Sequence, residues 1–220
     1  MTLIKRASNL LLVAATAGAV VGLSAAPAMA ATTLTVKVSN GGTYTATASK
    51  TVLTDKGVSV TCTSTSTTPA SKATGTVATG THTGTSPVKV GTVKTLSFNH
   101  CTGPAGTVHT TVQALPYSIK VDSKTNSTGQ TDGIITGIKV QVNAGLGCTF
   151  TVTGSAPGFY TNSTHKLAVT SKLPITPLNK AQMTISNVTA SCAAAGIANG
   201  DHPTFTSTYT VSRHFTIKST

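Results

Sequence analysis

The chain has 220 residues, of which 9% are charged, and 16 Lys and Arg against 4 acidic residues give a formal net charge of +12. All four acidic residues are aspartates and there is no tryptophan, which disfavours glycoside hydrolysis by paired carboxylates and sugar binding by stacked rings. The basic residues are spread along the chain without a cluster, so a nucleic-acid surface is not expected.

The first 30 residues have the pattern of a signal peptide. Lys5 and Arg6 precede an apolar run over 10–23, and small residues at 28–30 predict cleavage before Ala31. The run is shorter than the roughly 20 apolar residues of a membrane span, and no other segment approaches that length. We therefore expect an exported chain without a membrane span, found outside the cell or in the wall, with residues 31–220 forming one domain.

The pattern in the first part of this domain predicts one hairpin and a further strand. Apolar and polar residues alternate over 33–38 and again over 44–48, on either side of a turn at 40–42, which indicates a hairpin. A turn at 55–57 leads into a strand that carries Cys62 on its apolar face. Residues 63–87 are rich in Thr, Ser and Gly, and they are either an exposed meander or a long flexible loop.

The middle of the domain is more strongly patterned. A strand beginning at Val93 ends at Cys101, and a β-type run over 107–121 is interrupted at Pro116, which predicts a bulge or an edge there. Two alternating segments, 134–143 and 148–153, flank the turn 144–147 and predict a hairpin with one buried face. Residues 156–160 are interpreted as a turn, with Tyr160 as the exposed aromatic side chain.

The last part continues the β pattern. Residues 167–170 predict a short strand, the changed parity at Val188 predicts a bulge before Cys192, and 193–200 accommodates at most one helical turn. Residues 204–218 alternate as one long terminal strand. Since no mature segment has the spacing of apolar residues expected for a helix, the predicted fold is an all-β antiparallel sandwich. A weak internal repeat in the placement of the cysteines favours two related halves.

Four cysteines in an exported chain are more simply two disulfides than a metal site, because no close Cys–Cys or Cys–His pairing is present. Three connectivities are open. We favour Cys62 with Cys101 and Cys148 with Cys192, because each bridge then closes one half of the chain. No cofactor is expected.

The residues that could carry chemistry lack informative spacing. Asp55, Asp132 and Asp201 each lie beside or one residue from a glycine, as turn aspartates do. Six histidines are scattered, without a metal-binding motif or a Gly-x-Ser-x-Gly elbow. The sequence therefore predicts no catalytic or metal-binding residue, and His100 and His214 are the histidines of most interest.

Four segments carry a family resemblance: GVSVTC at 57–62, FNHCTG at 98–103, LPY at 115–117 and GCTFTVTG at 147–154. With them the chain resembles small secreted actinobacterial proteins of unknown function, and more faintly secreted activators of alkane oxidation. The shared motifs are strand ends and cysteine positions, so the resemblance implies secretion and brings no catalytic residue.

Three functions are consistent with these patterns. The first is a secreted or wall-associated, non-enzymatic β-sandwich that binds an envelope component, such as an anionic wall polymer, or an apolar small molecule. Tyr160, Phe159, His100 and His214 are its candidate ligand contacts. The alternatives are a secreted hydrolase with a Ser/His/Asp site assembled from distant residues, and an antagonistic, toxin-like protein.

Overall fold

The computed structural model describes residues 32–170 and 182–220, so the predicted signal segment 1–30 lies outside the described residues. The described part of the chain forms sixteen strands and one short helix. In chain order they are β1 (Thr33–Ser39), β2 (Gly42–Ala48), β3 (Lys50–Asp55), β4 (Val58–Thr63), β5 (Ser71–Val77), β6 (Gly80–Thr85), β7 (Val88–Phe98), β8 (Cys101–Gly103), β9 (Gly106–Val112), β10 (Tyr117–Val121), β11 (Gln130–Asn143), β12 (Thr149–Thr161), β13 (Lys166–Thr170), β14 (Met183–Ser186), α1 (Ala190–Ala194), β15 (Thr204–Val211) and β16 (Thr216–Ser219).

The larger of two sheets divides into two branches. β2 and β3 are separated only by Ser49, and β15 pairs antiparallel with both of them. On its other side β2 continues into β5, β7 and β10, whereas β3 continues into β4, β8 and β9. The branches meet again at β11, where 133–136 pair with β10 and 140–143 pair with β9. Two antiparallel layers thus diverge at β2–β3 and rejoin at β11, and the predicted all-β sandwich is confirmed.

The hairpin of β11 and β12 is the longest strand pairing among the described residues and joins both layers. Its register shifts between Thr136 and Ile138, where Gly137 has a φ of +83°, and Gly154, which pairs with Ile138, has a φ of +124°. Both φ values lie in the region that favours glycine, so the hairpin bends at this point. The predicted hairpin is confirmed, and its second strand is longer than expected.

The buried side chains alternate along the strands as the sequence pattern predicts. In β1, Leu34, Val36 and Val38 are buried, and this strand forms the smaller sheet with β6 and β16. Tyr117, only 1% exposed, places its hydroxyl 2.8 and 2.7 Å from the carbonyl oxygens of Gln113 and Lys139, which share its single proton. Since the hydroxyl also accepts from the amide of Lys139 at 3.2 Å, it satisfies backbone groups beside the bend in β11.

Both disulfides have the predicted pairing. Cys62 and Cys101 are directly opposed in β4 and β8, and Cys148 is bonded to Cys192 in α1. All four cysteines are buried, and the described residues contain no free cysteine. No helix in the described ranges is long and apolar enough to cross a membrane.

Several local predictions need correction. β1 and β2 do not form the predicted hairpin, because β1 pairs with β6 and β16 in the smaller sheet whereas β2 pairs with β5 and β15 in the larger one. Residues 156–160 are not a turn but part of β12, because their pairing with β11 and β13 continues through Tyr160. The predicted terminal strand is two strands, since β15 belongs to the larger sheet and β16 pairs with β1 in the smaller one. Residues 63–87 are an ordered meander that contains β5 and β6, and the helical turn α1 begins before the predicted segment 193–200.

Candidate functional site

Tyr160 and Phe159, the predicted aromatic contacts, do not form an exposed pair. Tyr160 is 4% exposed, stacks on Phe215 with ring centroids 4.7 Å apart, and donates its hydroxyl to the Phe215 carbonyl at 3.0 Å. Burial raises the pKa of Tyr160 to about 12. The prediction of an exposed Tyr160 is wrong because alternation within β12 turns it inward, whereas Phe159 takes the other face and is half-buried.

The two predicted histidines lie in different turns. His100 is exposed with a φ of +50° between β7 and β8, and His214 is exposed between β15 and β16. His214 stacks on His165 with ring centroids 4.0 Å apart. In the described part of the chain no ring-nitrogen hydrogen bond reaches a serine or an aspartate, and no group of three or more His, Cys, Asp or Glu could hold a metal ion.

The clearest site is a cavity of about 240 Å³ at one end of the sandwich, which we call the hairpin-end cavity. It is enclosed by the β3–β4, β8–β9 and β11–β12 turns, by β14 and by the segment around α1. Its lining residues are Leu53, Asp55, Val58, Val60, Pro104, Ala105, Ala144, Gly145, Leu146, Cys148, Phe150, Ile185, Ser191, Ala195 and Ile197.

The wall contributed by α1 is held firmly although the helix has only five residues. Its Cys192 is disulfide-bonded to Cys148, the residue just before β12. Thr189, just before the helix, donates its hydroxyl to the Gly147 carbonyl at 2.8 Å and accepts from the amide of Thr149 at 3.0 Å. These bonds fix the helical segment against the β11–β12 turn, so this side of the cavity is preformed.

The rim of the cavity carries an unusual apolar side chain. Leu146 in the β11–β12 turn is 84% exposed, and it is the only large hydrophobic residue so exposed in the described ranges. It has a φ of +50° between Gly145 and Gly147, which also have positive φ values. Leu146 therefore adds one exposed apolar side chain to the rim of the cavity.

A pair of aspartates lies at the β3–β4 end of the cavity. Asp201 accepts a salt bridge from the Lys56 ammonium at 2.7 Å and a hydrogen bond from the Ala198 amide at 2.7 Å, and these contacts hold its pKa below the ordinary value. Asp55 is 8% exposed, and its Oδ2 has no partner among the described residues. Burial, followed by the adjacent Asp201 carboxylate, raises the pKa of Asp55.

The other two aspartates are also neighbours. Asp122 accepts a hydrogen bond from Ser86, and Asp132 accepts one from Ser123 at 3.0 Å. Burial and the charge of Asp122 raise the pKa of Asp132. All four aspartates therefore occur in two pairs, although the sequence indicated only separate turn residues. No sequence signal predicts this, because the members of the first pair are 146 positions apart in the chain.

A second, smaller cavity of about 110 Å³ lies between the layers and is lined almost wholly by apolar side chains, including Tyr117, Ile138 and Val152. Leu53 and Val60 line this interior cavity and the hairpin-end cavity alike. The side chains of Leu53 and Val60 therefore contribute to the wall between the interior cavity and the hairpin-end cavity.

Fold and cavities define a disulfide-bonded, all-β protein with apolar internal space. Comparison with protein-family models, with curated proteins and with solved structures finds no match. The functional interpretation therefore depends on the geometry of this chain.

Proposed function

We propose that this protein is an exported, non-enzymatic β-sandwich of the cell envelope that binds a small apolar molecule in the hairpin-end cavity. The observation that carries the proposal is the cavity of about 240 Å³ itself, with a lining that is apolar apart from Asp55 and Ser191. Binding pockets are typically concave and apolar with a few polar groups, which is the composition found here.

The size of the cavity limits the ligand. An apolar cavity of about 150 Å³ in another protein stays dry and binds benzene, so a space of this size accommodates a molecule with one small ring or a short branched chain. Ligand pockets for drug-sized molecules begin at about 300 Å³, so a large substrate is disfavoured. The preformed α1 wall further supports binding, because little ordering is needed when the ligand enters.

Export is supported by two kinds of observation. Two buried disulfides are typical of proteins that fold in an oxidising compartment. Residues 1–30 have the charge and apolar pattern of a signal peptide. N-terminal sequencing of the protein released by its native host should begin at Ala31, and a start at Met1 would contradict export by cleavage.

The cavity is tested with a matched pair of substitutions at the end of α1. Ala195 lines the cavity, whereas its exposed neighbour Ala194 does not. A phenylalanine at 195 would occupy the cavity mouth, so Ala195→Phe should weaken binding of toluene or phenol by about tenfold or more, and Ala194→Phe should leave it unchanged. The measurement is an NMR titration of each purified variant with both ligands.

Two results would contradict the proposal. One is the absence of binding of either ligand to the wild-type protein at millimolar concentration, and the other is unchanged affinity in Ala195→Phe. The hydrolase and toxin-like alternatives remain predictions from the sequence, since no contact among the described residues favours them.

A further inference from the structure

The hairpin-end cavity contains one ionisable side chain among its described lining residues, and that side chain is not satisfied. Asp55 lines the cavity and is more than nine-tenths buried. Its neighbour Asp201 is a carboxylate that can only accept a hydrogen bond from it, and Oδ2 of Asp55 receives none in the described ranges. A buried oxygen without a partner costs free energy, and native structures seldom retain one without a reason. An incoming ligand can supply the missing partner.

We propose that Asp55 is the polar anchor of the cavity and that the ligand is a neutral apolar alcohol or phenol whose hydroxyl hydrogen-bonds to this carboxyl group. The inference rests on the proposed function, because it requires a ligand in the hairpin-end cavity. It adds the chemical class of that ligand and the residue that selects it.

The neighbours of Asp55 favour a neutral ligand over a cation. Asp201 is already paired with Lys56 and with the Ala198 amide, so the negative charge beside Asp55 is compensated. Burial and the Asp201 carboxylate also favour the protonated form of Asp55 by raising its pKa. An ammonium group would lose its hydration on entering an apolar cavity and would approach the positive charge of Lys56. A neutral group avoids both costs.

A hydroxyl suits the carboxyl group better than other neutral groups. When Asp55 is ionised it only accepts hydrogen bonds, and when it is protonated it also donates one. A hydroxyl can donate and accept, so it pairs with either form of the side chain. An ether or a ketone only accepts and would leave the ionised form unsatisfied.

The test compares ligands of nearly equal shape on the wild-type protein. Phenol and toluene differ by a hydroxyl in place of a methyl group, and benzylamine adds a cation. NMR titration should show phenol binding about five- to tenfold more tightly than toluene, as expected for one satisfied buried hydrogen bond, and benzylamine binding more weakly than phenol. In Asp55→Ala the preference for phenol over toluene should fall to about one, whereas Asp55→Asn, which keeps both a donor and an acceptor, should retain most of it.

The outcomes separate this inference from the proposed function. Equal binding of toluene and phenol by the wild type, tighter binding of benzylamine, or a preference for phenol that persists in Asp55→Ala would overturn the role of Asp55 while leaving the cavity a binding site. If none of the three compounds binds the wild type, the proposed function fails and the inference fails with it. The wild-type comparison does not depend on the folding of any variant.

Discussion

Asp55 and Asp201 show how one proton can be shared unevenly by two adjacent carboxyl groups. Asp201 is stabilised as a carboxylate by Lys56 and by the Ala198 amide, and Asp55 has no such donor. The pKa of Asp201 is therefore lowered and that of Asp55 is raised, first by burial and then by its neighbour. When the pKa values of two coupled carboxyl groups move apart in this way, a single proton resides on the group whose carboxylate form is less stabilised, here Asp55.

The pH dependence of stability follows from the raised pKa of Asp55. A group whose pKa is higher in the folded than in the unfolded state contributes stability at low pH, and the contribution is lost as pH rises through the folded pKa. Asp55→Asn removes this titration and keeps a donor towards Asp201. Relative to Asp55→Asn, the wild type should therefore lose stability as pH rises above the ordinary aspartate pKa, which thermal unfolding of both proteins from acid to neutral pH measures.

Asp201→Asn is the contrasting variant, because the pKa of Asp201 is lowered in the folded state. Its contribution is present above the ordinary aspartate pKa and lost as pH falls, so the advantage of the wild type over Asp201→Asn should grow with pH. Parallel melting curves for the wild type and Asp55→Asn at every pH would contradict the shared-proton account.

The orientation and contacts of single side chains were the features least predictable from the sequence. The inward orientation of Val36 or Cys62 follows from period-two alternation, but Tyr160 was misplaced because a Pro-Gly pair at 157–158 indicates a turn when read locally. In the folded protein both residues lie inside β12, where tertiary pairing with β11 and β13 overrides the turn signal. The aspartate pairs were missed because no local pattern encodes contacts between distant turns.

At the scale of elements, the β11–β12 hairpin determines the architecture, because its bend lets one pair of strands belong to both layers. Gly154, which pairs with Ile138, and the neighbouring bulged Gly137 differ in their surroundings. A Cβ at Gly154 would meet the carbonyl oxygen of Gln182 beside β14, whereas a Cβ at Gly137 would have no neighbour within 4 Å. Both glycines have positive φ, so only Gly154 combines backbone strain with a steric clash.

The two glycines provide a matched pair of substitutions. Gly137→Ala should lower the free energy of unfolding by about 1 kcal/mol through backbone strain alone. Gly154→Ala should lower it by about 3 kcal/mol or more, because the pairing of β12 with β14 must also shift. Denaturant unfolding measures both values, and a cost for Gly137→Ala equal to that for Gly154→Ala would exclude the steric explanation.

Most of the strands were predictable from the sequence, and the exceptions have separate causes. The strands at 33–39 and 42–48, the hairpin at 134–153 and both disulfides follow from alternation, turn residues and the spacing of four cysteines, but the predicted pairing of the first two strands is wrong. The meander at 63–87 was ambiguous because its strands are rich in Thr and Gly, and such strands bury little side-chain area. The break between β15 and β16 was missed because alternation continues across it, through the buried Phe215 and Ile217.

At the scale of the whole molecule, the closure of the two layers creates the internal space. The two branches that diverge from β2–β3 and rejoin at β11 enclose the interior cavity. The turns at one end of the sandwich enclose the hairpin-end cavity. Sequence patterns predict which face of a strand is buried, but not whether opposing faces fill the space between them. The cavities, and with them the candidate site, therefore became visible only in the folded structure.

The surface charge of the whole molecule leads to a separate prediction. Without residues 1–30, fourteen basic residues face four acidic ones, a net charge of about +10. Most of the described basic side chains are exposed and spread over several strands and turns, among them Lys37, Lys72, Lys124 and Lys166. Such a distribution attracts anionic polymers without forming a shaped site for them.

We therefore expect weak, salt-sensitive retention of the protein on purified anionic cell-wall polymer. The Debye length is about 10 Å at 0.1 M salt and about 3 Å at 1 M, so diffuse attraction should be strong at low ionic strength and absent at molar salt. Co-sedimentation with the polymer across this salt range measures the effect, and Asp55→Ala, which leaves the basic residues intact, should sediment as the wild type does. Binding that survives molar salt would contradict the diffuse-charge account and would require a shaped site for the polymer, separate from the cavity that we assign to a small apolar ligand.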